Sequence, residues 1–258
     1  MNPATLVYLS QSRAFSDNVK KHREYHNIEL SRTQQFIDVL IDGLVALAFV
    51  DGAHDRWRQA ILAAKNNAAT RRVPVCFASD HRALRAEAVT CGADLALSWS
   101  ELGGRIDQII TDMARVPDPA TLKQLACECR QPLPALAIAG LREFNRGEFY
   151  RQHDLFEAQW VEVVGPVRDL YRGILQVGVA YYQIERGNYR GALKMLQRSV
   201  QWLALLPNTC QGIDVEQLRR DSNALRAELQ RLGPERLGEL DRRLLAKLSW
   251  NPAHSAKT

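Results

Sequence analysis

The sequence predicts two architectures in succession: an α/β unit built on a five-stranded parallel sheet, then an all-α bundle. Three observations carry this. Short runs rich in β-branched and aromatic residues alternate with amphipathic stretches up to about residue 115, and almost disappear after Ala135. The run Leu44-Val-Ala-Leu-Ala-Phe-Val50 is apolar without alternation, as a strand covered on both faces requires. Two proline pairs, Pro117 with Pro119 and Pro132 with Pro134, interrupt helices between the two patterns. The expected boundaries are 1–115 for the α/β unit, 116–135 for a proline-containing linker, 136–248 for the helical bundle and 249–258 for a flexible tail.

Thr5–Ser10 is the first expected strand and Arg13–Tyr25 a polar-faced helix. Asn27–Ser31 follows as a strand and Gln34–Ile41 as a helix. The buried strand Leu44–Val50 ends at Asp51-Gly52, a turn pair. Then come a helix over Asp55–Asn67, a strand at Val73–Ala78, a helix over His81–Cys91, a strand at Leu95–Ser98 and a helix over Glu101–Ala114. Strands separated by helices demand crossovers, so the sheet is expected to be parallel with helices on both faces. Between the proline pairs a short helix fits Ala120–Arg130. Beyond them, helices are expected over Ala135–Asn145, Glu148–Val164, Val167–Arg186, Tyr189–Leu206, Val215–Leu232 and Pro234–Leu248, punctuated by Gly147, Gly165-Pro166, Gly187-Asn188, Pro207-Asn208 and Gly233-Pro234. Arg146-Gly147-Glu148-Phe149 recurs 40 residues on as Arg186-Gly187-Asn188-Tyr189. Each glycine serves a tight turn and each aromatic re-enters the core. Gly191 and Ala192 are expected to let helices approach closely. The hairpins resemble tetratricopeptide units, but two copies fall short of a solenoid, so a compact bundle is expected.

A chain of 258 residues with 46% apolar and 24% charged side chains suits two soluble domains. The net charge of +5 is interleaved: residues 1–115 carry 14 basic against 13 acidic side chains, and the remainder 20 against 16. That lacks the basic stripe of a nucleic-acid binder. Five cysteines form no Cys-x-x-Cys pair, the opening residues lack signal-peptide character, and no apolar run approaches the ~20 residues of a bilayer span. The expectation is a cytoplasmic protein with reduced thiols and no membrane partner.

The stretch Ala69-Thr-Arg-Arg-Val-Pro-Val-Cys-Phe-Ala-Ser79, with Cys91-Gly-Ala-Asp94, resembles the second half of a two-component receiver domain, over roughly residues 3–115. That resemblance implies a flavodoxin-like fold and a phosphoacceptor at Asp51, with Ser79 at the hydroxyl position. It also calls for two acids after the first strand and a lysine after the fifth. Ser10-Gln11-Ser12 and Ser98-Trp99-Ser100 stand there instead. Without carboxylates to hold Mg²⁺, or a lysine, nothing neutralises a transferring phosphoryl group. Asp51 is therefore expected to be an inactive equivalent in a degenerate receiver, with a helical face left for protein contacts.

In the second half, Phe144-Asn145-x-Gly147-x-Phe149, His153-x-x-x-Glu157-x-x-Trp160, Tyr171-x-Gly173-x-x-Gln176 and Gly187-Asn188-x-x-Gly191-Ala192 resemble the family called domain of unknown function 309, over about residues 136–206. The family implies a small helical bundle and a His-x-x-x-Glu-x-x-Trp signature suspected of binding metal. Helical spacing puts His153 and Glu157 on one face. As metal ligands they need a third, drawn from Glu143, Asp154, Asp169 or Glu185, and such an oxygen-rich set favours Mg²⁺, Mn²⁺ or iron over structural zinc. As structural groups they would bond each other and Arg168, Tyr171 or Gln176 on the facing helix. In a small-molecule pocket one of them would act as acid or base. Trp160 is expected to fill core space, and of Tyr181 and Tyr182 only one can face the site. Leu218, Leu225, Leu229 and Leu232 follow helical spacing within an arginine-rich stretch, so its charges read as a solvated face; an arm gripping a second subunit is the other reading.

Together these point to a non-enzymatic regulatory or scaffolding protein, a pseudo-receiver coupled to a helical module that binds a protein partner, a ligand or a second copy. No residue is assigned a catalytic role. The alternative is a metal-dependent, hydrolase-like enzyme using His153 and Glu157, with a divalent ion as its cofactor.

Overall fold

Strand β1 (Thr5–Leu9) sends Val7 and Leu9 to one side of a sheet and Leu6 and Tyr8 to the other, the period-two alternation of extended chain. The structure, a computed structural model, describes residues 5–11, 25–42 and 44–251. Strands β2 (His26–Leu30), β3 (Val45–Asp51), β4 (Val75–Ala78) and β5 (Leu95–Leu97) join β1 in the order β2-β1-β3-β4-β5, every pair parallel. This is the strand order of flavodoxin-type doubly wound sheets, with its switch point between β1 and β3.

Ala48, Val50, Val75 and Phe77 join Val7 and Leu9 beneath helices α1 (Thr33–Asp42), α2 (Trp57–Asn66) and α3 (Arg82–Thr90). Leu47, Phe49, Cys76 and Ala78 face helix α4 (Trp99–Met113), which buries Leu102, Ile106, Ile109 and Ile110. All seven residues of β3 are buried, which explains its unbroken apolar run. Ser98 caps α4 by a reciprocal exchange with Glu101, so the residues after β5 serve a helix start. The helix expected over Arg13–Tyr25 lies, apart from Tyr25, outside the described residues.

The chain divides into units 1–116 and 117–258. All of the segment expected as a linker except Val116 belongs to the second. Asp118 caps helix α5 (Pro119–Glu128), and Leu125, Cys129 and Leu133 enter the core of the helical unit at a four-residue spacing. The prolines bound that helix rather than separating it from the bundle.

Helices α6 (Ala135–Arg146), α7 (Phe149–Glu162), α8 (Arg168–Glu185) and α9 (Tyr189–Leu203) follow. Gly147 and Gly187, with φ of 84° and 72°, make the two equivalent turns, conformations that side chains with a Cβ rarely adopt. Phe144, Phe149 and Tyr181 form an aromatic cluster with ring centroids 5.7, 5.4 and 5.3 Å apart. Tyr182 stays half-buried on the neighbouring face beside Tyr150. Gly191 serves the turn more than the helix contact: its N–H donates to the Asn188 cap, whose side chain fills the space a Cβ would need.

Three further expectations are corrected. A two-stranded hairpin, β6 (Thr209–Cys210) and β7 (Ile213–Asp214), interrupts the helices where no strand was expected; four residues are too few for a periodic signal. Helix α10 (Val215–Leu232) forms as expected and turns Leu218, Leu225, Leu229 and Leu232 into its own unit's core. Among the described residues no long helix follows it. Pro234–Glu239 and Arg242–Leu244 are short 3₁₀ turns, separated by extended Leu240, after Gly233 at φ 72°. Leucines there mimic helical spacing, yet irregular chain carries Leu237, Leu240 and Leu248 into the core. Lastly, the cysteines are not all thiols. Cys129 and Cys210 form a disulfide across 81 residues, while Cys76, Cys91 and Cys127 are free. Nothing in cysteine spacing marks a pair joined only by the fold.

Candidate functional site

In the α/β unit, Ser10, Asp51 and Ser79 gather at the carboxyl ends of β1, β3 and β4, where doubly wound sheets bind ligands. Asp51 is fully buried. One of its oxygens accepts from the Ser10 hydroxyl at 2.9 Å and the other from the Ala53 N–H at 2.7 Å, closing an Asx-turn. Gly52 makes this turn possible: a Cβ there would lie 2.6 Å from the Ser79 Cβ and 2.8 Å from the Ala78 carbonyl oxygen. His54, which sequence reasoning passed over, is 2% exposed and completes the floor. Its Nδ1 accepts from the Arg56 N–H, so Nε2 carries the proton and donates to the Ser31 carbonyl.

In the helical unit, the face of α7 that packs inward carries Phe149, Gln152, Phe156 and Gln159. His153, Glu157 and Trp160 are displaced by one residue from that stripe, about 100° around the helix. His153 is half-buried and its Nδ1 lies 3.1 Å from an Asp154 carboxylate oxygen, while Glu157 is exposed. Tyr171 is buried, and its hydroxyl donates to Gln211 in the β6–β7 turn at 2.8 Å rather than reaching α7. Gln176 is buried, and its carbonyl oxygen has no hydrogen-bond partner among the described residues. Glu143 pairs with Arg146. Among the described residues no three His, Cys, Asp or Glu side chains gather closely enough to hold a metal ion.

Polar chemistry instead collects around Trp160. The Arg168 and Arg172 guanidinium carbons lie 5.1 and 4.8 Å from its ring centroid, and Arg172 lies 3.6 Å from the Trp202 ring. The Trp160 indole nitrogen and Arg168 Nε are buried without hydrogen-bond partners among the described residues. Burial pushes the Asp169 carboxyl upward, against the opposing pull of Arg172 and Arg168. Val161 in the last turn of α7 and Val164 just beyond it are 67% and 92% exposed. Trp and Arg are residue types enriched at protein-binding hot spots.

Of the residues singled out in the sequence, Trp160 and Arg168 are brought together, whereas His153 and Glu157 are not joined to Tyr171 or Gln176. Gln152, Arg172 and Trp202 were missed. Gln152 follows the same i, i+4, i+7 pattern one residue earlier, but a glutamine there reads as surface. It is fully buried because Gly178 on α8 leaves room, a Cβ there falling 2.5 Å from the Gln152 Cδ.

Burial also sets an alkaline limit. Tyr171 is pushed from 10.0 up to about 12, chiefly by burial, with the bond to Gln211 acting the other way. A value raised on folding contributes stability that is whole below pH 10 and is lost as pH rises towards 12. The helical unit is therefore expected to weaken over that interval in step with tyrosinate absorbance. A Tyr171→Phe variant should show a shallower loss by circular dichroism.

The model of a family described as Domain of unknown function (DUF309) matches residues 137–195, which run from α6 into α9 and include Gln152, Trp160, Arg168 and Arg172 but not Trp202. An uncharacterized protein of Aquifex aeolicus (strain VF5) is 25% identical over 77 residues, or 30% of this chain. The chain covers 23% of that relative's length.

Proposed function

We propose that the chain is a non-enzymatic regulatory or scaffolding protein in which a pseudo-receiver unit is coupled to a helical partner-binding module. The observation that carries this is the closed state of Asp51. Its oxygens are taken by Ser10 and Ala53, it has no exposure, and Ser10-Gln11-Ser12 and Ser98-Trp99-Ser100 stand where the receiver pattern needs two acids and a lysine. Phosphoryl transfer to such a carboxylate lacks both access and the positive charge that would stabilise it. On the helical side, the Trp160, Arg168, Arg172 and Trp202 cluster supports contact with a protein partner. Interleaved charge supports neither a nucleic-acid nor a membrane surface as that partner. We keep a cytoplasmic setting within this reading; the Cys129–Cys210 disulfide must then withstand cellular thiols, protected by its burial.

The test is incubation with acetyl phosphate and Mg²⁺ followed by intact mass. No adduct is expected on the native chain. A labile phosphate that disappears in an Asp51→Asn variant would overturn the pseudo-receiver assignment.

A further inference from the structure

Residues 245–251 run without helix across a surface made by α6 and the β6–β7 hairpin, and they are held by their backbone. The Asn145 side-chain amide clamps Leu248 from both sides, donating to its carbonyl at 3.0 Å and accepting from its N–H at 2.7 Å. The hairpin continues the same recognition. Asp214 N–H donates to the Ser249 carbonyl at 3.0 Å, Asn251 N–H donates to the Gly212 carbonyl at 2.8 Å, and Ile213 pairs with Trp250 as an antiparallel bridge. Side chains alternate accordingly. Leu248 is buried, Ser249 is exposed, and Trp250 lies half-buried with its indole donating to the Gln211 carbonyl at 3.2 Å.

The receiving surface is shaped for this strand. Gln211 and Gly212 hold left-handed conformations, φ 51° and 79°, that present their carbonyls to it, and a Cβ on Gly212 would collide with the Asn251 carbonyl. Small clefts remain beside the seated chain, one lined by Leu141, Arg142 and Trp250, the other by Phe144, Phe149 and Leu245. Asn145, Phe144 and Phe149 lie within the family-matched residues 137–195, whereas the strand seated on them lies outside that span.

We propose that this surface is an extended-peptide groove, that its partner is a protein segment carrying an aliphatic residue and an aromatic two positions later, and that the chain's own Leu248-Ser249-Trp250 is a built-in competitor. Strand addition to a sheet edge supplies sequence-independent backbone bonds, and the alternate pockets for Leu248 and Trp250 supply selectivity. The cis segment keeps the groove filled, so a partner's apparent affinity falls by the fraction of molecules whose segment is released. This rests on the helical unit being a partner-binding module, but its test is independent of the Asp51 chemistry.

The probe is a fluorescent peptide of residues 244–251, titrated by anisotropy into the full chain and into a full-length Leu248→Asp/Trp250→Ala variant. The variant is expected to bind at least about tenfold more tightly than the native chain, and adding Asn145→Ala to it should abolish that gain. Equal binding by a variant that keeps its helical circular dichroism would overturn the proposal. Hydrogen exchange on the unmodified chain gives a second readout that needs no variant. The Leu248 and Asn251 amides are expected to exchange at least about tenfold faster than the Ile174 amide of α8, through local opening; exchange only with global unfolding would make the segment ordinary core and sink the idea. Concentration-dependent dimers formed by swapping this segment, seen by sedimentation, would overturn its assignment to a separate partner.

Discussion

Replacing Cys129 and Cys210 together by alanine is expected to cost the helical unit about 2–5 kcal/mol. The bond closes a loop across 81 residues, so cutting it frees much of the unfolded chain that it now restrains. It also frees a weakly held element. Helix α5 spans 10 residues, too short to persist alone, and its apolar anchors are Leu125 and Cys129. Around the bond, Gln211 N–H donates to the Cys129 carbonyl at 2.6 Å and Glu128 accepts from the Val167 N–H at 2.9 Å, so loosening Cys129 exposes a connected set of polar groups. Thermal unfolding followed by helical circular dichroism should show the same loss in the double variant as in the native chain under strong reductant. Thiol titration in denaturant should find three free groups before reduction, from Cys76, Cys91 and Cys127. Five free groups, or a double variant as stable as the parent, would end this account of how α5 is held.

That bond also shows where the sequence stops being informative. Period-two and unbroken apolar patterns made the five strands legible, because burial on two faces leaves its mark within each strand, as in Val45–Asp51. Helix ends were legible where Gly147 and Gly187 had to adopt positive φ. Pairings fixed only by the assembled fold were not: the Cys129–Cys210 link, the Asn145 clamp on Leu248 and the Tyr171 bond to Gln211 each join residues with no shared local pattern. The site was half legible for a different reason. His153, Glu157 and Trp160 stand out chemically, yet a helix offers several stripes at the same spacing, and only packing decides which turns inward. Gly178 and Gly140 made that choice, admitting Gln152 and Phe156 to close contact.

The choice of stripe can be measured on adjacent residues. Phe156→Ala is expected to destabilise the helical unit by about 3–5 kcal/mol, since it empties a fully buried ring site. The Phe156 ring lies against Gly140, where a Cβ would sit 2.9 Å from it, so no side chain on α6 at that point can swing in to refill the space. Glu157→Gln keeps the shape of an exposed side chain and makes no buried group unpaired, so it should change stability by less than about 0.5 kcal/mol. His153→Asn should also be mild, because a half-exposed imidazole beside Asp154 forms at most a weak surface pair. Denaturant unfolding of the three variants, with helical circular dichroism as the signal, compares them directly. If Glu157→Gln costs as much as Phe156→Ala, the carboxylate belongs to a buried network after all. If only Phe156→Ala melts the unit, the lock between α6 and α7 is apolar, and His153 and Glu157 remain on the outer face of α7.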